Sequence, residues 1–203
     1  MNTTMIFFQI IAAVVTVSIH GFVKAWVSAL LGDPLPKRDR RVTLNPIKHI
    51  EPIGFIIMVA LGFGWAKPVE TASIYYKDRR MGTILTYTLP SVACLIIGVV
   101  VYTCAILIGS SFEVYLLLRM IALFNIRHAF FNIIPVYPLD GSKILSTLRG
   151  PNQAIRMVNN QMFLQMILIM AVLWGFVGTV IDPIYRGIFA FLGQIFMTGS
   201  MLW

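Results

Sequence analysis

Apolar residues dominate five stretches of the chain, residues 5–31, 82–109, 114–134, 162–181 and 184–203. Each reaches or exceeds the roughly 20 residues that a helix needs to cross a bilayer. The pattern predicts an all-α polytopic membrane protein with about five transmembrane helices. Gly32-Asp33-Pro34 stops the first run, Pro90 interrupts the second, and Asp182-Pro183 separates the last two. A further apolar stretch, residues 52–64, has basic residues on both sides and is too short to span, so it reads as re-entrant or interfacial. Residues 36–50 read as a basic loop in which Arg41-Val42-Thr43-Leu44 fits a short strand. Residues 65–80 read as polar, with Trp65 and two tyrosines suited to the membrane interface. Residues 141–161 are polar again and begin with a short predicted helix.

Composition supports this reading. The 203 residues are 58% hydrophobic and only 12% charged, against about a quarter charged in soluble domains. One membrane domain, residues 1–203, is the simplest division, with a core at about 5–148 and two C-terminal helices at about 162–203. The net charge of +8 does not point to nucleic acid, because the basic residues cluster at the ends of the apolar runs. Lys37, Arg38, Arg40, Arg41 and Lys48 form one group, Lys67, Lys77, Arg79 and Arg80 a second, and Arg127, Lys143, Arg149 and Arg156 a third. The positive-inside rule places all three in the cytoplasm. The N-terminus is then outside, the C-terminus cytoplasmic, and the protein multi-pass in the cell membrane. The first residues carry no Lys or Arg and no small-residue cleavage site, so the first run reads as a retained span. Cys94 and Cys104 are about 15 Å apart along one helix, beyond disulfide reach, and read as packing residues.

Two separated segments carry candidate chemistry. One is Ile19-His20-Gly21-Phe22-Val23-Lys24, inside the first run; the other is Asn132 followed by Pro138-Leu139-Asp140-Gly141. A zinc protease of the H-E-x-x-H type needs His at i and i+4 on one helix face and Glu as general base. Here His20 holds the first position, Gly21 the Glu position and Lys24 the second His position. A carboxylate such as Asp140 in apolar surroundings is costly unless paired or metal-bound, although Asp before Gly also suits a plain helix N-cap. His49 in the basic loop reads as solvated, and His128 as interfacial or as a displaced ligand.

The order of these residues carries a family resemblance. His20, Gly32-Asp33-Pro34, Thr43-Leu44-Asn45-Pro46-Ile47-Lys48-His49-Ile50-Glu51-Pro52-Ile53-Gly54, Gly64-Trp65-Ala66-Lys67-Pro68-Val69, Asn132 and Pro138-Leu139-Asp140-Gly141 together resemble the site-2 protease (M50-type) family of intramembrane zinc metalloproteases. Within it, the short bacterial branch without a PDZ domain is the nearest match. The resemblance implies a core in which two His and one Asp bind zinc and a Glu activates the metal-bound water for attack on a peptide bond. By position, His20 and Asp140 are the implied metal residues, and Asn132 lines the implied substrate cleft.

This chain departs from that pattern. Gly21 offers no base, and a protonated Lys24 has no lone pair for a metal. The family's Gly-Pro-x-x-Asn turn stands here as Leu89-Pro90-Ser91-Val92-Ala93. The reading is a pseudoprotease: a site-2 protease-like membrane protein with a vestigial metal site and no cofactor. It would hold a membrane-embedded protein or a single-span substrate helix without cleaving it. An active zinc-dependent endopeptidase with an atypical site and a structural subunit of a membrane complex are the alternatives. The pseudoprotease reading carries two expectations: that the Lys24 ammonium pairs with Asp140 in place of the metal, and that Gly21→Glu with Lys24→His restores zinc binding.

Overall fold

A computed structural model describes residues 3–108, 111–149 and 159–199. Among them are eight α-helices and two short 3-10 turns. The helices are α1 (Thr3–Leu30), α2 (Leu35–Arg38), α3 (Pro52–Leu61), α4 (Arg79–Ile108), α5 (Phe112–Ile133), α6 (Asp140–Arg149), α7 (Gln161–Leu173) and α8 (Phe176–Gly199). Four of them, α1, α4, α5 and α8, are long and apolar enough to cross a membrane, which makes the chain an integral membrane protein.

The α4–α5 hairpin is the centre of the bundle, and α1 packs against both of its helices. Small residues let the backbones approach: a Cβ added at Gly98 would lie 2.5 Å from Ile126 Cγ1 and 3.0 Å from the Ala122 carbonyl. Ala12 and Ala13 of α1 and Ala105 of α4 are fully buried. Where α1 ends, a polar knot fixes the next loop. Asp33 accepts hydrogen bonds from Ser28 Oγ (2.8 Å), the Leu35 amide (3.0 Å) and the Ala72 amide (2.7 Å). Tyr76 bonds Ser28 and Thr86 in turn, which ties the loop to α4.

Helix α3 is as short as the apolar pattern implies. Glu51 caps its N-terminus by accepting from the Gly54 amide at 2.6 Å, and Gly62, at φ +77°, ends it. Its 10 residues span about 15 Å, half a bilayer core. Residues 41–44 form no strand. The chain there is pinned by long-range bonds instead: Arg41 Nη2 donates to the Lys67 carbonyl at 2.8 Å. The short helix expected early in residues 141–161 is α6, which begins at Asp140.

The break between the last two apolar runs is not at Asp182-Pro183. It is at Trp174-Gly175, where Gly175 takes φ +75° and closes α7. Pro183 is instead inside α8, which is tolerated in membrane helices when other groups satisfy the freed carbonyl. Asp182 is held by Arg127 of α5 at 2.8 Å. Helix α7 has 13 residues, shorter than a span. Four long helices, an even number of crossings, would put both chain ends on one side, whereas five would separate them.

Candidate functional site

Helix α1 presents Thr16, His20, Lys24 and Ser28, one per turn, as a buried polar row. Its two middle members, His20 and Lys24, meet the N-terminus of α6, where Asp140 is the first helical residue. A carboxylate is favoured at the first turn of a helix by the helix dipole. Gly141 makes this junction possible: a Cβ at that position would lie 2.0 Å from the Ile133 carbonyl oxygen.

Asp140 is the hub of the site. Its Oδ2 accepts from His20 Nε2 at 3.0 Å, and its Oδ1 pairs with the Lys24 ammonium. Lys24 Nζ also lies over the Tyr87 ring, 5.2 Å from its centroid. All three charged or titratable groups are buried, with His20 at 2%, Lys24 at 7% and Asp140 at 4% exposure. A second pair of residues completes the floor. The His128 ring meets His20 edge-on at 4.7 Å. The Asn132 amide donates to His128 Nε2 at 2.8 Å and to the His128 carbonyl at 3.1 Å. His128 is thus buried within the site and not interfacial, but it does not reach Asp140 or Lys24 by any hydrogen bond. Above this floor is a cavity of about 420 Å³, lined at its base by His20, Gly21, Lys24, Asn132 and Asp140 and along one wall by residues 65–71.

His49 departs most from the sequence reading. It is fully buried, not solvated, because the loop folds back and sets its ring against Gly21. A Cβ on Gly21 would lie 2.1 Å from His49 Nδ1, 2.7 Å from Cγ and 2.9 Å from Cε1. His49 Nε2 donates to the Thr43 carbonyl at 2.7 Å, so Nδ1 carries the lone pair and has no hydrogen-bond partner among the described residues. Burial pushes the His49 pKa below its ordinary value, which keeps the ring neutral. The imidazole therefore fills the space in which a larger residue 21 would stand.

The model of peptidase family M50 matches residues 4–174, a stretch that includes every residue of this site. The chain belongs to peptidase family M50. It is 26% identical over 171 residues to the "Putative zinc metalloprotease YwhC" of Bacillus subtilis (strain 168), covering 77% of this chain and 75% of the relative. No solved structure matches the chain.

Zinc is the metal that membership of this intramembrane metalloprotease family implies, and the residues of this M50 chain do not fit it. Among the described residues no three His, Cys, Asp or Glu side chains are grouped to hold one metal ion, and the remaining residues of the sequence are of none of those four types. His20 and Asp140 bond to each other directly, and the third group at the centre is an ammonium without a lone pair.

Proposed function

We propose that this chain is a pseudoprotease of the M50 family. In this reading His20 and Asp140 are the remains of the metal shell, and the Lys24 ammonium supplies the positive charge that the ion would have carried. The observation that carries it is the buried Lys24–Asp140 pair, with His20 on the second carboxylate oxygen. Both oxygens of Asp140 are thereby occupied, and no side chain at position 21 reaches the cavity. The site has a cleft and a floor but nothing to activate a water for attack on an amide. Asn132, at the base of that cleft, would contact an extended segment of a single-span membrane partner, which is the occupant we infer.

Such a site should not hydrolyse peptide bonds. Detergent-purified protein mixed with a labelled single-span substrate is expected to give no cleavage above buffer. Chelator-sensitive cleavage that Asp140→Ala abolishes would overturn the proposal.

The basic clusters support a topology in which residues 36–50, 77–80 and 141–156 are cytoplasmic, with the N-terminus outside. Single cysteines at position 39 or 78, in a background lacking Cys94 and Cys104, should resist an impermeant thiol reagent applied to intact cells. Strong external labelling at either position would refute this orientation. The expected cytoplasmic C-terminus does not fit four crossings, and we place it outside. Phe189 of α8 stacks on Tyr102, 3.8 Å between centroids, near the outer end of α4. Asp182, earlier in α8, meets Arg127 nearer the inner end of α5. In this orientation α8 runs outward.

A further inference from the structure

A second cleft opens on a different face of α5. It has a volume of about 600 Å³ and is lined by Phe63, Arg127, Gly175, Gly178, Asp182 and Arg186, among others. One of its cations already has a counter-charge. Arg127 Nη2 donates to Asp182 at 2.8 Å, and the guanidinium is between the Phe63 and Tyr185 rings at 5.0 and 4.8 Å.

The other cation, Arg186, has none. It is exposed and makes no ion pair among the described residues, which include all eight Asp and Glu side chains of the chain. Its one side-chain hydrogen bond among the described residues is to the neighbouring Tyr185 hydroxyl, long at 3.4 Å. Asp182, one turn away, is committed to Arg127. Arg186 is also at the midpoint of the candidate span Phe176–Phe196. Ten residues on either side place it about 15 Å from each end, farther than an arginine side chain reaches by snorkelling. Charged residues at that depth face a partner or a cavity, not lipid.

The walls of the cleft are open to a close neighbour. Among the described residues, a Cβ at Gly175 would meet nothing within 4 Å, and one at Gly178 would meet its nearest atom only at 3.7 Å. Bare backbone of this kind is what membrane helices use to approach one another. Lipid phosphates are at the edge of a hydrocarbon core about 30 Å thick, so their depth does not match Arg186. An apolar helix with one carboxylate at mid-depth does match: it fills the cleft and neutralises the unpaired charge.

We propose that this cleft docks a partner membrane helix through a carboxylate at mid-bilayer depth, with Arg186 as the counter-charge. The proposal is independent of the loss of peptidase chemistry, since it uses neither Lys24 nor Asp140.

The test uses the full chain in phosphatidylcholine vesicles and three synthetic single-span leucine–alanine helices with Glu, Gln or Leu at the midpoint. Association is read by energy transfer. The Glu helix is expected to associate about tenfold more tightly than the Leu helix, with the Gln helix well below Glu. Arg186→Leu should remove the Glu preference without changing the helical circular dichroism spectrum. Gly178→Leu, which fills the cleft and keeps the charge, should weaken the Glu helix to the same level. Equal association of the Glu and Leu helices, or an unchanged Glu preference in Arg186→Leu, would overturn the proposal. So would loss of the preference on adding phosphatidylglycerol, together with enrichment of that lipid around the wild type and not around Arg186→Leu. That result would assign the charge to a headgroup.

Discussion

Replacing Lys24 by Met is expected to destabilise the protein by about 3–5 kcal/mol, because it leaves Asp140 buried without its cation. Asp140→Asn should cost at least as much, since it strips the counter-charge from a lysine that is 7% exposed and weakens the bond to His20. The double variant should be less destabilised than either single one. Met and Asn leave no net charge at the centre, and the new amide in place of the Asp140 carboxylate still offers His20 a hydrogen bond. A double-mutant cycle on detergent-purified protein, read by thermal unfolding, measures this coupling. Additive losses would show that Lys24 and Asp140 are independent, and the ion-pair account would fail.

The second large effect concerns Gly21. From sequence alone, Gly21→Glu with Lys24→His rebuilds the H-E-x-x-H pattern and should recover zinc. The packing around position 21 points the other way. The first side-chain atom of any residue 21 would lie 2.1 Å from His49 Nδ1, and two further ring atoms would be within 2.9 Å. The ring cannot yield cheaply, because its far nitrogen is bonded to the Thr43 carbonyl and its own backbone is held by Lys67 N donating to the His49 carbonyl at 2.8 Å. Overpacking of this kind typically costs about 1–3 kcal/mol. The double reversion is therefore expected to lose stability and to bind no stoichiometric zinc. Adding His49→Gly should return most of the stability and allow zinc uptake, as read by metal analysis and by the melting temperature with and without zinc. Full zinc occupancy in the double variant with wild-type stability would show that the loop moves freely, and the blocking role of His49 would be wrong.

The sequence reveals the features that depend on local pattern. The long apolar runs give α1, α4 and α5 nearly as found, and the brevity of residues 52–64 matches α3. Asp140 opens a helix, as Asp before Gly suggests. The pairing of Lys24 with Asp140 was also legible, because the family order brings two positions 116 residues apart to one point. The misreadings share one physical cause: the deciding contact is far away in the chain. Asp182-Pro183 reads as a break only until Arg127, 55 residues earlier, takes up the aspartate and leaves the turn to Gly175. Arg41 looks like the start of a strand until the Lys67 carbonyl claims it. His49 in a basic loop looks solvated, since nothing in its neighbours shows that Gly21 has left it a place inside the bundle. A glycine beneath a histidine is invisible to periodicity, although a lone Gly inside an apolar helix already marks a close approach.

The central claim is that an ammonium holds the place of the metal. Metal analysis of the wild-type chain, purified in detergent after growth with added zinc and without chelators, tests it most directly. The account predicts zinc far below one ion per chain and no change in melting temperature when zinc is added. One zinc per chain, lost in both His20→Ala and Asp140→Ala, would contradict it.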